Sequence, residues 1–369
     1  MRIIYRALLP LSLSCVTLAF ADNINSQSPD TSLRRTDPKM LPTIERCQEC
    51  SAEFFFTADF IYWRTSEKGT ALGHTGVINP YEPNPLPPVP SAKQGKYVYL
   101  GHAWEPGFKV GFGWNSNHDR WDVYTQYTWL HSRNTQKMSD PVNGIRQPTT
   151  SEPNGIFGAL REAATATGSW THHFNVIDLE LGRRCCVSQF LLLRPFVGLK
   201  GGWQQRDMVR SFFSPVPNPQ FPIPGVPSEP NVLRVHDHFD VWGIGMRGGV
   251  NSSWVICKNW SLFGDLAWTS MWSDYKVLRS DKVTNLVTEY TTVFLDLDGD
   301  KRFEVNYIGE LALGVRWETC SCNERYRFVV QAGWEQQVWI NYMAAAQALD
   351  DAWHDLNFQG LDLKLRFEF

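Results

Sequence analysis

The stretch FEVNYIGELALGVRW, residues 303–317, decides how the rest of the chain is read. Its odd positions carry Phe303, Val305, Tyr307, Gly309, Leu311, Leu313, Val315 and Trp317, while its even positions include Glu304, Asn306, Glu310 and Arg316. A β-strand turns successive side chains to opposite faces, so a period of two means one apolar and one polar face. With about half of residues apolar in an average protein, eight in a row on one parity arises by chance about once in a few hundred tries.

The pattern recurs. Tyr326, Phe328, Val330, Ala332 and Trp334 share a parity, as do Phe108, Val110, Phe112 and Trp114, and Trp121, Val123, Tyr127 and Trp129. Trp260, Leu262, Leu266 and Trp268 face away from Ser261 and Asp265. The last nine residues, LDLKLRFEF (361–369), alternate without a break between apolar residues and charges. Ten segments fit strands, at about 53–64, 105–116, 120–131, 169–183, 188–206, 234–251, 259–276, 303–318, 324–339 and 358–369. Their connections alternate strictly between long and short. An up-and-down barrel with tight turns on one rim and surface loops on the other gives that rhythm. A sandwich has no reason to.

Composition bounds the environment. The 369 residues are 14% aromatic with 16 Trp, and the net charge is −3, without the basic stripe of a nucleic-acid binder. No run of 18 apolar residues follows the first 21, which excludes helical membrane spans but not a membrane barrel. The leader MRIIYRALLPLSLSCVTLAFADN has Arg2 and Arg6, an apolar stretch and Ala19-Phe20-Ala21, which reads as a secretory signal peptide over 1–21. A membrane anchor or a lipoprotein site at Cys15 fits less well, because the apolar stretch is short and Ser12 stands where a lipobox prefers Leu. Residues 22–52 are polar and aperiodic, a flexible periplasmic lead, and 53–369 is the barrel.

Rings at strand ends support a membrane setting: Tyr62 and Trp63, Trp121 and Trp129, Trp260 and Trp268, Trp317 and Trp339. Such belts sit at the two membrane–water interfaces. The competing reading, a sandwich core, lacks a second apolar face. Lipid cannot hydrogen-bond a free strand edge, so the strands must close, with LDLKLRFEF pairing the first strand near EFFFTADFIYW (53–63). The expected fold is therefore all-β, a transmembrane up-and-down antiparallel β-barrel of about ten strands (range 10–16), with long extracellular loops and short periplasmic turns.

The alternating final strand with terminal Phe369 resembles the C-terminal signal that the insertion machinery of bacterial outer-membrane barrels recognises. ADFIYWR (58–64), VIDLELGRR (176–184), LLRPFVGLKGGW (192–203) and GMRGGVNSSW (245–254) resemble the major-outer-membrane-protein-like porins of the chlamydiae and legionellae. The resemblance covers about residues 53–369. It implies a bacterial outer-membrane pore for small solutes or ions that also serves as a structural surface protein, with outer-membrane lipid and the insertion machinery as partners. The chlamydial porins are thought to use more than ten strands.

With both barrel ends in the periplasm, Cys47, Cys50, Cys185, Cys186, Cys257, Cys320 and Cys322 all fall on the periplasmic rim. An oxidising compartment permits disulfides, between turns or to a neighbour, and an odd number leaves one over. Chlamydial envelopes rely on such cross-links, so the resemblance implies disulfide-linked envelope proteins or a homo-oligomer. A metal site from Cys47, Cys50, Cys320 and Cys322 is the rival, weakened by a C-x-C spacing.

Other chemistry is thin. HDHFD (236–240) places His236 and His238 on one strand face, as a metal pair or as a polar strand end. LDLDGD (295–300) has the spacing of Asp296, Asp298 and Asp300 but lacks a calcium loop's later Glu, so it reads as a turn. His172-His173 stands at a strand start without an evident partner. The Pro-rich runs 79–90 and 215–230 are loops, as spacers or as constrictions. Protease, P-loop and dinucleotide motifs are missing, so no enzyme, cofactor or metal is expected. The residues expected to line a pore are Lys109, Arg120, Asp122, Arg194, Lys200, Asp265, Glu304, Glu310, Arg316, Arg325, Arg327 and Glu335. A non-conducting structural or adhesive barrel is the alternative function, because ten strands enclose a narrow lumen. A rim-active outer-membrane hydrolase is the third.

Overall fold

Period-two alternation builds the wall of the protein. The computed structural model describes residues 53–75, 96–116, 120–140, 145–146, 163–188, 190–215, 230–299, 302–321, 326–345 and 352–369. Among them ten long strands form the ring: β1 Phe54–Glu67, β2 His102–Asn115, β3 Trp121–Ser139, β4 Thr165–Arg183, β5 Leu191–Ser214, β6 Asn231–Cys257, β7 Trp260–Asn285, β8 Arg302–Ser321, β9 Tyr326–Ala345 and β10 Ala352–Glu368. Each pairs antiparallel with its sequence neighbours, and β1 pairs β10 to close the barrel. Closure runs in register from Phe55 opposite Glu368 to Glu67 opposite Leu356, and Phe54 and Phe369 exchange both backbone hydrogen bonds at 2.9 and 3.1 Å. LDLKLRFEF is thus the closing strand, and no edge is left for lipid to face.

All ten expected strands are present, but most are longer on the rim of the long connections. β3 continues past 131 to Ser139, β5 past 206 to Ser214, β7 past 276 to Asn285, and β4 starts at Thr165 rather than 169. The reason lies on the outer face. On β3 the outward series Val123, Tyr127, Trp129 becomes His131, Arg133, Thr135, Lys137, so the apolar signal ends while backbone pairing to β4 goes on to Ser139–Thr165. LDLDGD is not a turn up to Asp298: Thr291–Asp298 is a short strand paired with β7, and Asp300 lies outside the described residues. A small sheet of Ala71–Thr75, Tyr97–Tyr99 and Ile145–Arg146 sits on the same rim.

The outside of the wall carries two belts of rings. Phe54, Trp114, Trp121, Trp254, Trp260 and Phe369 are exposed at the short-turn end, with Trp317 half-buried beside them, and Tyr62, Trp104, Trp203, Trp242, Trp272 and Trp334 are exposed at the other. Between them the exposed residues are aliphatic or Phe, such as Ile177, Leu179, Leu199, Ile244, Leu311, Leu313 and Leu363. Two of the expected belt residues do not belong there. Trp63 and Trp339 have no exposed surface and point inward, as the parity of their own strands requires. Position near a strand end suggested a belt; parity overruled it.

The core therefore lies inside the barrel. One apolar cluster gathers Ile61, Trp63, Leu130, Phe174, Val241, Met271, Ile308, Trp339, Tyr342 and Phe358 at mid-height and above. A second gathers Leu72, Leu100, Ile145, Trp170, Met208, Phe212 and Val283 toward the long-connection rim. The expectation of a polar inner face holds for the half nearer the short turns; in the other half the apolar clusters are interleaved with buried ion pairs such as Arg210–Asp237 and Arg279–Asp281.

Candidate functional site

The inner face near the short turns is where chemistry-bearing residues converge. Inward parity on β10 sends Asp362, Lys364, Arg366 and Glu368 into the lumen, and VIDLELGRR sends Asp178 and Glu180 there from β4. A cavity of about 210 Å³ lies among them, lined by Lys109, Arg194, Arg247, Asp265, Glu310, Arg316, Arg327, Glu335 and Lys364 with others. Gly113 on β2 is needed here, because a Cβ at that position would stand 2.0 Å from the ring of Phe55.

The charges above the cavity cancel in pairs. Lys200 Nζ lies 2.9 Å from Asp178 Oδ1 and 2.9 Å from Glu310 Oε1. Arg247 reaches the same acids, 2.8 Å to Asp178 and 2.7 Å to Glu310. Arg194 forks onto Asp122, its Nε 2.9 and 3.0 Å from the two carboxylate oxygens, and its Nη1 donates to Glu180 at 2.8 Å. On the other side Lys109 binds Glu335 and, at 3.0 Å, Asp362, and Lys364 stands 3.1 Å from Asp59. Lys109, Lys200 and Asp178 are buried, so this is an internal salt-bridge layer rather than a solvated ring. Ions so far from water need this degree of pairing.

That layer lies against the apolar cluster. The Lys109 ammonium sits 4.8 Å from the centre of the Trp63 ring and Lys200 5.9 Å from that of Trp339. Beyond them the rings fill the bore. Phe174 meets Phe358 at 4.5 Å and Trp339 at 5.4 Å, Trp63 meets Phe358 at 5.8 Å, and Trp339 meets Tyr342 at 4.7 Å. Above them Arg206 binds Glu67, which also accepts from Trp170 Nε1 at 2.8 Å. From the short-turn end the bore is thus a charged cavity, a salt-bridge layer, an aromatic plug and a second apolar cluster.

Most expected lining residues do face inward: Lys109, Asp122, Arg194, Lys200, Asp265, Glu310, Arg316, Arg327 and Glu335. Arg120 does not. It sits in the β2–β3 turn with φ of 59° and an exposed side chain, its guanidinium 3.9 Å from Cys186 Sγ. Glu304 has inward parity but stands exposed at the far rim, above the plug. Arg325 lies outside the described residues. Asp178, Glu180 and Arg247 were missed, although alternation in VIDLELGRR already separated Asp178 and Glu180 from Ile177, Leu179 and Leu181.

The other candidates resolve differently. In HDHFD His236, His238 and Asp240 face outward, where His238 Nδ1 is 2.8 Å from Asp207 Oδ1 and its Nε2 is 2.9 Å from Asp240 Oδ2, while Asp237 and Phe239 are buried inside. His172 turns inward to Gln204 at 3.1 Å, while His173 turns outward and meets His131, Nδ1 to Nδ1, at 3.0 Å. Among the described residues no group of three or more His, Cys, Asp or Glu is placed to hold a metal ion. Cys186 is disulfide-bonded, Cys185 and Cys257 are free thiols, and Cys320 is exposed. Cys47, Cys50 and Cys322 lie outside the described residues, as do the signal peptide, the lead segment and most of both Pro-rich runs.

A closed ring of ten strands, belted by aromatic residues outside, is the form of an outer-membrane barrel. The family model of the Legionella pneumophila major outer membrane protein precursor matches residues 47–369. The chain belongs to this family. As a major outer membrane protein family member it resides in the bacterial outer membrane. No curated protein matches it. Solved structures similar to this family member include the outer membrane protease OmpT from Escherichia coli, at 11% identity over 86% of this chain and 97% of that one, with a TM-score of 0.37. The attachment invasion locus protein Ail of Yersinia pestis is 8% identical over 85% and 98%, with a TM-score of 0.23. A Pseudomonas aeruginosa FadL homologue is 8% identical over 86% and 90%, with a TM-score of 0.24. At such scores they say nothing about activity.

Proposed function

We propose that this barrel is a structural surface protein of the outer membrane whose lumen is plugged, and not an open diffusion pore. The carrying observation is the contact of Phe174 with Trp339 at 5.4 Å, because β4 and β9 stand on opposite sides of the ring. Where opposite walls touch through buried rings, no hydrated path remains at that level. The salt-bridge layer below supports the same reading, since a conducting lumen keeps its charges hydrated and available to ions.

The pore reading retains one observation in its favour, the charged cavity of about 210 Å³ in the periplasmic half. On that reading the cavity is a vestibule and the plug a constriction that must move. We read the barrel as non-enzymatic: His236, His238 and Asp240 face outward, and inward-facing His172 bonds to an amide, Gln204. The free thiol of Cys257 on the short-turn rim supports a cross-linking role with envelope neighbours. Planar-bilayer recording of purified, heat-modifiable protein tests the proposal. Silence supports the plugged barrel; stable stepwise conductance of the unmodified protein rejects it.

A further inference from the structure

Just beyond the belt formed by Trp129, Trp203, Trp242 and Trp272, the outward face of β3 to β7 changes character. Arg133, Lys137, Arg234, Lys276 and Lys282 are all exposed there, and none has an ion pair among the described residues. Strand register places Lys137, Thr167, Ser211, Arg234 and Lys282 in one row across five adjacent strands. At ~4.8 Å per strand that row is about 19 Å wide. Between it and the belt the outward residues include hydroxyls, Thr135, Ser169, Thr171 and Ser280.

The acids on this face are already engaged or lie at its edge. Asp207 and Asp240 are held by His236 and His238, and Asp274 accepts from Trp242 Nε1 at 3.1 Å. Asp296 and Asp298 stand on the short strand beyond β7. Arg234 and Lys282 are directly opposite each other. Like charges in that position destabilise a sheet unless an anion lies between them. Among the described residues neither has an ion pair that would supply one.

We propose that this patch binds the phosphate-bearing headgroup of the outer-leaflet glycolipid, with Arg133, Lys137, Arg234 and Lys282 taking the phosphates and the Ser and Thr hydroxyls facing the sugars. Position selects a lipid: the patch begins where the apolar band ends, at headgroup depth on the rim of the long connections, which is the extracellular one. Guanidinium and ammonium groups on one face are the side chains that recognise phosphate.

The test uses the refolded full-length barrel in neutral detergent, titrated with bisphosphorylated lipid A, with its phosphate-free form, and with inorganic phosphate as competitor. Tighter binding of the bisphosphorylated form is expected, with loss of that preference in R133Q/K137Q/R234Q/K282Q. Each cation near a headgroup surface changes affinity by about fivefold, so Arg234→Gln alone is expected to weaken binding by that factor. The same single change removes half of the repelling pair, so without lipid it is expected to raise the melting temperature, which also shows that the variant folds. Equal affinity for both lipids, or an unchanged preference in either variant, overturns the proposal. Displacement of lipid A by millimolar phosphate also overturns it, by assigning the patch to free phosphate.

Discussion

Phe174 and Trp339 project from strands five places apart in a ring of ten, yet their rings meet edge to face at 5.4 Å. A ten-stranded barrel is narrow enough for large side chains to bridge it, and here they do. The bore is organised along its axis: charges that satisfy one another near the periplasm, then the rings of the plug, then a second apolar cluster with buried ion pairs of its own. The salt bridges hold the base of the plug, and the plug keeps water away from the salt bridges, so each layer depends on the other.

Glu310 faces two cations, with Lys200 Nζ 2.9 Å from its Oε1 and Arg247 donating to its Oε2 at 2.7 Å. Glu310→Gln leaves both with less than their counter-charge in a site shielded from water. A loss of about 3–5 kcal/mol is expected, as for removal of one partner from a buried pair. Glu304→Gln, on the same strand but exposed, is expected to fall within about 0.5 kcal/mol of the parent. Urea unfolding in micelles measures both, and equal effects would contradict the buried layer.

Leu313 faces outward between the belts, 55% exposed and without protein cover. Leu313→Arg should cost about 2–4 kcal/mol near the bilayer midplane. The same folding titration reads it. A cost no larger than that of Glu304→Gln would reverse the assigned faces.

Outside the membrane band, partial burial draws the His238 pKa down, but its hydrogen bonds to Asp207 and Asp240 outweigh this and leave it raised. Burial raises Asp207, but its hydrogen bonds from His238 and His236 leave it lowered. A raised histidine stabilises the fold fully below its unfolded value of about 6.5 and loses that effect as pH rises through the folded value. The lowered carboxylate acts above about 3.9 and loses its effect as pH falls through its folded value. Thermal stability should therefore decline as pH rises above about 6.5, with a shallower slope in His238→Gln. An identical slope in the variant would remove His238 from the account.

Cys257 is an exposed free thiol at the end of β6, beside the β6–β7 turn. A membrane-impermeant maleimide should label it only after the outer membrane is opened, whereas Lys282→Cys, on the opposite rim, should be labelled in intact cells. The reverse pattern would invert the barrel.

Much of this architecture was legible in the sequence, and the parts that were not share a cause. Alternation located all ten strands because lipid demands an unbroken apolar face. It lost the extensions, such as Arg133 to Ser139, where water and headgroups demand nothing of the sort. Parity alone placed Lys109, Arg194 and Glu335 inside. It could also have placed Trp63 and Trp339 there, had their nearness to strand ends not suggested a belt. Contacts across the bore, such as Phe174 with Trp339, depend on strand number and tilt and leave no local signature. Arg120 has the spacing of a lining residue but a left-handed backbone, which only the turn reveals.

The most direct test compares conductance of the parent with W339A/F358A in a planar bilayer. Trp339 and Phe358 both pack on Phe174, and the double truncation removes the rings that carry its contacts across the bore while keeping every acid and base of the lower layer. A plugged barrel gives a silent parent and stepwise conductance from the heat-modifiable variant. A parent that conducts, or a folded variant as silent as the parent, would contradict the plug as the element that closes this barrel.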